Sequence, residues 1–509
     1  MRARTLPVEA LAWLAPAGVF AVVRWSPLPL PLLLAGALAA CLVLALSRRP
    51  IVPLVGLIAG LPVGTLVLSY LYRLGLPGEV VRPLGQWKEV CAAALVLAAL
   101  QRYSQGRPRL DVIDKLALGY IAIGLLYLAV PQLTVLGGAE RTLSERWFGF
   151  RFDVLYVGLF LAARHLRFDA LQLKLVVRAV LVAVALVAVV GVFEWTASDT
   201  WNRVIIEDIQ LPRYRVDVLG VSPVARGQSI DDLRVYGSVG GREIVRVGSV
   251  QLDPLSTSFF LAFGACIAVE LVIRGRTRRS VVIISAVAAA ALLFTQTRAG
   301  ILAAAVGVVL ALGPTRGGSQ VNRLRFALAL GGVAVFAVPL LVGAGLSDRL
   351  AGDEASDTSH REAFTRGVET IVQNPLGLGL ATAAGAGQRV TTDVPVVTEN
   401  QYLQIGVQLG APAMVLYLGL VVGVPRLIRR RITSAGDDDE PSPGHDDRAI
   451  AGAARTGFVG LCVGGFFLQP FLEFSVSWTV WAVVGACIGR LDDVATRGAQ
   501  RGDLALRPA

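Results

Sequence analysis

Residues 175–196 read LVVRAVLVAVALVAVVGVFEWT, an apolar run interrupted only by Arg178 and Glu194. A membrane-spanning helix takes about 20 mostly apolar residues, so this stretch reads as a span. Comparable runs precede it at 8–23, 27–47, 51–72, 87–101, 115–131 and 152–166. Others follow at 255–274, 280–296, 299–313, 325–346, 402–424, 454–471 and 476–490. Hydropathy windowing thus predicts an all-α polytopic membrane protein with about 12–14 transmembrane helices.

Composition agrees. Of the 509 residues, 54% are hydrophobic and 17% charged, and the mean hydropathy is +0.63. Soluble domains carry roughly a quarter charged residues, so a soluble enzyme, a disordered chain and a secreted disulfide scaffold are excluded. Cys41, Cys91, Cys266, Cys462 and Cys487 all lie in apolar runs, where a thiol behaves as a small hydrophobe. No Cys/His cluster has metal-ligand spacing, and the only histidines are His165, His360 and His445; no metal or other cofactor is expected. The net charge of +11 comes almost wholly from arginine, with Lys88, Lys115 and Lys174 the only lysines. Its distribution points to membrane topology and not to nucleic acid.

The basic residues cluster in alternate connections: Arg48 and Arg49, then Arg102 to Lys115, then Arg164 to Arg178. Arg274 to Arg279, Arg316 to Arg325 and Arg426 to Arg431 continue the series. The positive-inside rule makes that side cytoplasmic, together with both termini. The segments are then the N-terminal helices (1–195), an outer loop (196–254), the central helices (255–346), a second outer loop (347–401), the C-terminal helices (402–490) and a cytoplasmic tail (491–509). Loops of this length inside a compact protein are functional or disordered. The first contains a hairpin pattern, Asp232–Val239 and Arg242–Ser249 around Gly240-Gly241. The second contains an amphipathic helix pattern over Arg361–Gln373, closed by Asn374-Pro375. The acidic, turn-rich stretch 433–447 and the tail after Arg490 read as solvated, without chemistry.

Three groups of residues invite chemistry. Arg298, in Thr295-Gln-Thr-Arg298-Ala-Gly300, sits between two apolar runs with almost no loop, at the outer face. A charge there marks a functional site or a paired structural one, against a plain arginine snorkelling to headgroups. Glu399 and Asn400, with Tyr402, open the span at 402–424. A carboxylate at the mouth of an apolar helix is placed to act as a base, although a Glu capping its own helix is an equally good reading. Arg246, before Gly248 and Ser249, enters the span at 255–274, and a simple hairpin with charged flanks competes with a binding role.

Taken together, these segments resemble the O-antigen ligase and Wzy-type O-antigen polymerase superfamily, multi-span bacterial glycosyltransferases of GT-C type. The resemblance covers roughly 240–425. It rests on Arg246-Val-Gly-Ser-Val-Gln-Leu-Asp253-Pro254, on Thr295-Gln-Thr-Arg298-Ala-Gly300, on Arg361 at the opening of the loop helix, and on Pro375-Leu-Gly377-Leu-Gly379. The ligase signature of His-Asn followed by Gly-x-x-Gly aligns with Glu399-Asn400, Gly410 and Ala413. This chain therefore carries Glu where the family has His, Ala for the last Gly, and Asp253 where Asn is usual.

The resemblance implies transfer of a glycan from a polyprenyl-diphosphate carrier to an acceptor hydroxyl on a glycan, lipid or protein. The reaction would run at the outer face of the bacterial cytoplasmic membrane, in cell-surface polysaccharide assembly. Arginine forks bind phosphate oxygens and stay charged, which makes Arg298 and Arg361, with Arg246, the expected diphosphate clamp. Glu399 is the expected base of a metal-independent, inverting displacement, and Asn400, His360 and Tyr402 are expected to contact substrate. The rival class is a transporter of a small anion or lipid-linked sugar, which would show internal repeats and a midplane site; a catalytically dead scaffold is the third reading.

Overall fold

The computed structural model describes residues 30–106, 110–130, 141–224, 228–239, 242–273, 279–312, 354–383, 396, 398–434 and 445–505. The expected spans at 8–23 and 325–346 lie outside them. The described chain is helical apart from one hairpin and its connections, so it is an all-α polytopic membrane protein. Five helices are long and apolar enough to cross a bilayer: Val112–Ala129, Ala170–Thr196, Pro254–Ile273, Gln401–Ser434 and Phe474–Ala505. Leu155–Leu166, Arg279–Phe294 and Arg298–Leu312 are apolar but shorter.

Local chemistry explains why fewer full-length spans appear than hydropathy counts. The run 51–72 is split into Ile51–Gly60 and Gly64–Arg73, with Pro62 removing a backbone donor between them. The run 454–471 stops early, because the helix His445–Gly464 ends at Gly464-Gly465 and residues 465–473 form a turn.

Helix packing relies on small residues, as bundles in lipid require. A Cβ on Gly489 would lie 2.0 Å from the Arg164 carbonyl, and one on Gly485 2.3 Å from that of Phe160, so Phe474–Ala505 lies directly on Leu155–Leu166. Gly460 similarly approaches the Ala303 carbonyl, at 2.2 Å. Gly489→Ala is expected to destabilise the fold by about 1–3 kcal/mol through overpacking, read as a lower Tm in detergent; an unchanged Tm would show that the two helices can separate freely.

One end of the bundle is tied by ion pairs. Buried Arg164 meets Asp111 at 2.5 Å, Asp114 at 2.9 Å and Asp492 at 3.2 Å. Burial pushes the Asp111 carboxyl up, but Arg164 outweighs it and holds the group below the usual carboxylate range. Arg431 joins Asp492 at 2.9 Å, Lys174 joins Asp446 at 2.8 Å, and Arg490 joins Asp447 at 2.7 Å. Several basic groups read as one-sided in the sequence therefore do share an end. Two expectations are corrected here. Asp446 and Asp447 belong to the first turn of a helix and not to a solvated linker, and the chain beyond Arg490 continues as helix to Ala505. Their carboxylates are bound by arginine and lysine from neighbouring helices, which a charge run in sequence does not reveal.

The hairpin marks the opposite end. Strands β1 (Val235–Val239) and β2 (Arg242–Arg246) pair antiparallel, with Val235 opposite Arg246 and Val239 opposite Arg242, as the sequence predicts. Asp232 and Arg234 anchor its base at 2.8 Å. Hydrogen bonding from Arg234 holds the Asp232 carboxyl down at about 2, while burial and then Asp232 push the Tyr236 hydroxyl up to about 12.

Candidate functional site

The hairpin docks on the turn that carries Arg298. Arg246, the last residue of β2, donates from Nε to the Thr295 carbonyl (3.2 Å) and from a terminal nitrogen to Thr297 Oγ1 (3.1 Å). The Val247 N–H donates to the Phe294 carbonyl at 3.1 Å. Trp195 stacks on Phe294 beneath them, with ring centroids 4.5 Å apart. Arg298 then opens the helix Arg298–Leu312 with its side chain exposed, and it makes no hydrogen bond or ion pair with another described residue. A helix start carries a partial positive charge, so this guanidinium adds to an already cationic spot, one suited to an anion.

Each conspicuous residue in the two segments has a local cause. Asp253 accepts from the Ser256 N–H at 2.7 Å and so caps Pro254–Ile273; Asn and Asp cap equally well, which makes this departure from the family pattern neutral. Gly300 lets the Arg298 helix close on Ser258, where a Cβ would lie 2.5 Å away. Ser249, Leu252 and Gln296 hold φ of 51°, 62° and 52°. Left-handed backbone at non-glycine residues costs about 1–3 kcal/mol each and gathers at functional sites. Among the described residues, three of the six such positions lie in these two connected turns.

Glu399 stands on the other side of a shared turn. Asn400, and not Glu399, caps Gln401–Ser434, with Oδ1 accepting from the N–H groups of Tyr402 (2.9 Å) and Leu403 (3.0 Å). Asn400 Nδ2 donates to the Phe466 carbonyl at 2.9 Å, and the Gln401 N–H donates to that of Gly465 at 2.9 Å. Gln469 bonds the Thr398 carbonyl. The same turn comes close to the arginine's helix, since a Cβ on Gly464 would lie 3.4 Å from the Ala299 carbonyl. Arg298 and Glu399 therefore flank residues 464–469. The Tyr402 ring is buried and its hydroxyl donates to the Cys462 carbonyl. Asn400 and Tyr402, expected to contact substrate, are held in place by the protein itself.

Arg361 lies on the loop helix, exposed like Arg298. The loop helix runs Glu354–Gln373, so Arg361 lies inside it instead of opening it, a correction to the expected boundary. The Glu354–His360 stretch contains no Pro or Gly to stop the helix. A Cβ on Gly367 would lie 3.0 Å from Thr398 and one on Gly406 2.5 Å from Ile371, so the Ala363, Gly367 and Ile371 face is the packed one. Arg361 is roughly 200° around the helix from Ala363 at 3.6 residues per turn, and it is exposed. The side chain of His360 lies outside the described residues.

The Gly-rich motifs join one another. Gly410 breaks Gln401–Ser434 (φ 84°, ψ 169°) and Pro412 follows it. Carbonyls freed by the break are taken up by the 375–379 turn, with the Leu378 N–H donating to Val407 (2.7 Å) and the Gly379 N–H to Gln408 (2.9 Å). Gly377 and Gly410 touch backbone to backbone, a Cβ on Gly377 lying 2.5 Å from the Gly410 nitrogen. Gly377→Ala is expected to open this lock, because its φ of 85° and that contact both exclude a side chain. Faster proteolysis or hydrogen exchange across 375–410 is the readout, and unchanged protection there would refute the lock.

Sequence reasoning missed Asp153. It is fully buried and receives Gln404 Nε2 at 2.9 Å and Gln408 Nε2 at 3.0 Å, while Gln408 Oε1 accepts from the Ala381 N–H at 2.8 Å. This network fixes the first half of the broken helix, which Glu399 precedes. The visible signal was a Gln pair spaced i, i+4 in an apolar span.

A family model described as O-Antigen ligase matches residues 283–418, a stretch that includes Arg298, Arg361, Glu399 and the two interlocked glycine motifs. The comparison with curated proteins yields no match. Residues 283–418 therefore carry an O-antigen ligase domain, the family that the sequence motifs resemble.

Proposed function

We propose that this protein transfers a glycan from a polyprenyl diphosphate to an acceptor hydroxyl at the outer face of the bacterial cytoplasmic membrane. The acceptor is a second glycan, a lipid or a protein. The carrying observation is that Arg298, exposed and without an ion pair among the described residues, and the Glu399 segment both border the 464–469 turn at the hairpin end. In this reading the acceptor oxygen attacks the anomeric carbon and gives its proton to Glu399. The bond from that carbon to the diphosphate oxygen breaks, the electron pair leaves with the diphosphate, and the centre inverts. Arg298 stabilises the departing charge, the kind of preorganised term that is often the largest in catalysis. Arg246 holds the Arg298 turn in shape. Arg361, on the outward face of the loop helix, is assigned to attracting the anionic carrier.

The break at Gly410 favours a second reading, transport, because discontinuous helices form transporter sites. Against it, the carbonyls of Val407 and Gln408 are already occupied by Leu378 and Gly379. Purified protein given lipid-linked oligosaccharide and candidate acceptors, followed by glycan sizing, decides. A ladder means polymerase and a single-step product means ligase. No product, together with carrier-dependent flux in vesicles, means transport.

A further inference from the structure

A trough runs beside the candidate site at the hairpin end, and nothing in the proposed chemistry uses it. Its inner lobe, about 120 Å³, is lined by Trp87, Lys88, Gln251, Glu473 and Phe474. Its outer lobe, about 190 Å³, adjoins through Gln86 and is lined by Glu145, Trp147, Phe148 and Arg151.

The trough alternates rings with polar groups. Lys88 Nζ stands 5.2 Å from the centre of the Phe474 ring, and the Arg151 guanidinium stands 5.9 Å from it and 5.1 Å from that of Phe148. Arg151 is also paired with Glu89, so the cations are largely balanced within the protein. Gln251 Oε1 accepts from Ser475 at 2.9 Å, while its Nε2 is buried with no partner among the described residues. A buried amide donor without an acceptor is costly, and an oxygen from a ligand would satisfy it. Flat ring faces beside carboxylate, amide and ammonium groups, with little net charge, suit a polyhydroxylated ligand; a phosphate would need uncompensated cations.

The inner lobe is tied through its walls to both segments of the candidate site. Ser256 in its wall follows Pro254, whose carbonyl lies 3.3 Å from Thr297 Oγ1 beside Arg298. Glu473 follows Phe471, whose N–H donates to Gln401 Oε1 at 3.2 Å, two residues from Glu399. We infer that this trough binds the sugar residues of the glycan next to the transferred bond, with Trp87, Phe474, Gln251 and Glu473 as its contacts. Which substrate brings those sugars rests on the glycan-transfer reading; the binding itself does not.

The test uses full-length protein in nanodiscs, with lipid-linked glycan extracted from the cells that produce it and the same carrier trimmed to one sugar. Glu473→Gln and Trp87→Ala are expected to raise KM about tenfold with kcat within twofold. The rise falls on the donor if the trough holds donor sugars, and is then smaller with the one-sugar carrier; it falls on the acceptor if the trough holds acceptor sugars. Trp87 also packs on Gly60, so Gln251→Ala serves as the milder variant. Calorimetric titration with delipidated glycan separates the two ideas: binding lost in Glu473→Gln and kept in Arg298→Ala supports the trough even if transfer fails. Unchanged KM for both substrates in all three variants, a donor KM rise that is equal with the one-sugar carrier, or no binding by the unmodified protein overturns it.

Discussion

Arg298→Ala is expected to lower glycan transfer by about 10³-fold or more at saturating donor and acceptor, the scale seen when a charge-stabilising arginine is removed from a phosphoryl leaving group. Its stability should barely change. The side chain is exposed and makes no hydrogen bond or ion pair with another described residue, and surface substitutions of that kind stay within about 0.5 kcal/mol. A fall in rate without a fall in Tm therefore isolates a catalytic effect. Arg298→Lys keeps the charge but loses the planar fork and should recover only part of the rate. Arg246→Ala makes a useful contrast: it removes the bonds to Thr295 and Thr297, so it should cost both activity and protection of the 294–298 turn. The measurement is release of polyprenyl diphosphate under single-turnover conditions. A near-normal rate for Arg298→Ala would reduce this residue to a surface arginine and remove the main support for the transfer reading.

What could be read in the sequence, and what could not, divides along a physical line. Features carried by contiguous residues were legible: the span at 170–196, the hairpin around 235–246, and the segments containing Arg298 and Glu399. Their roles were less so, because roles depend on partners. Asn400 also caps one helix and bonds the 466 carbonyl, partners that its place in the sequence does not show. The packed face of the Arg361 helix is likewise set by residues distant in the chain. Asp447 looks solvated until Arg490, 43 residues away, is found on it. The trough was invisible, since it draws Trp87, Arg151, Gln251 and Glu473 from four separate stretches with no common motif. The two glycine motifs fall between these cases: each was recognisable alone, but that Gly377 exists to meet Gly410 follows only from their contact.

The substitution of Glu for the family histidine can be tested from both directions. Glu399→Gln preserves size, and the neighbouring bonds of Thr398, Asn400 and Gln401 to the 465–469 turn hold the backbone where it is. The variant removes the negative charge and with it the ability to take a proton. Loss of a general base costs about 10²–10⁴-fold, so kcat should fall by at least 10²-fold with little change in KM. Glu399→His restores a base of the other type and should retain transfer within about tenfold. The acidic limb of its pH–rate profile should move upward by about two units, the difference between unperturbed imidazole and carboxylate. That displacement separates proton transfer from a merely steric role, because a structural side chain would change the height of the profile and leave its midpoint alone. Near-normal transfer by Glu399→Gln would remove the carboxylate from the mechanism. An inactive Glu399→His variant with intact folding would mean that a carboxylate, and not any base, is required at this position, and that the acceptor approaches differently here from the way it does in relatives that use histidine.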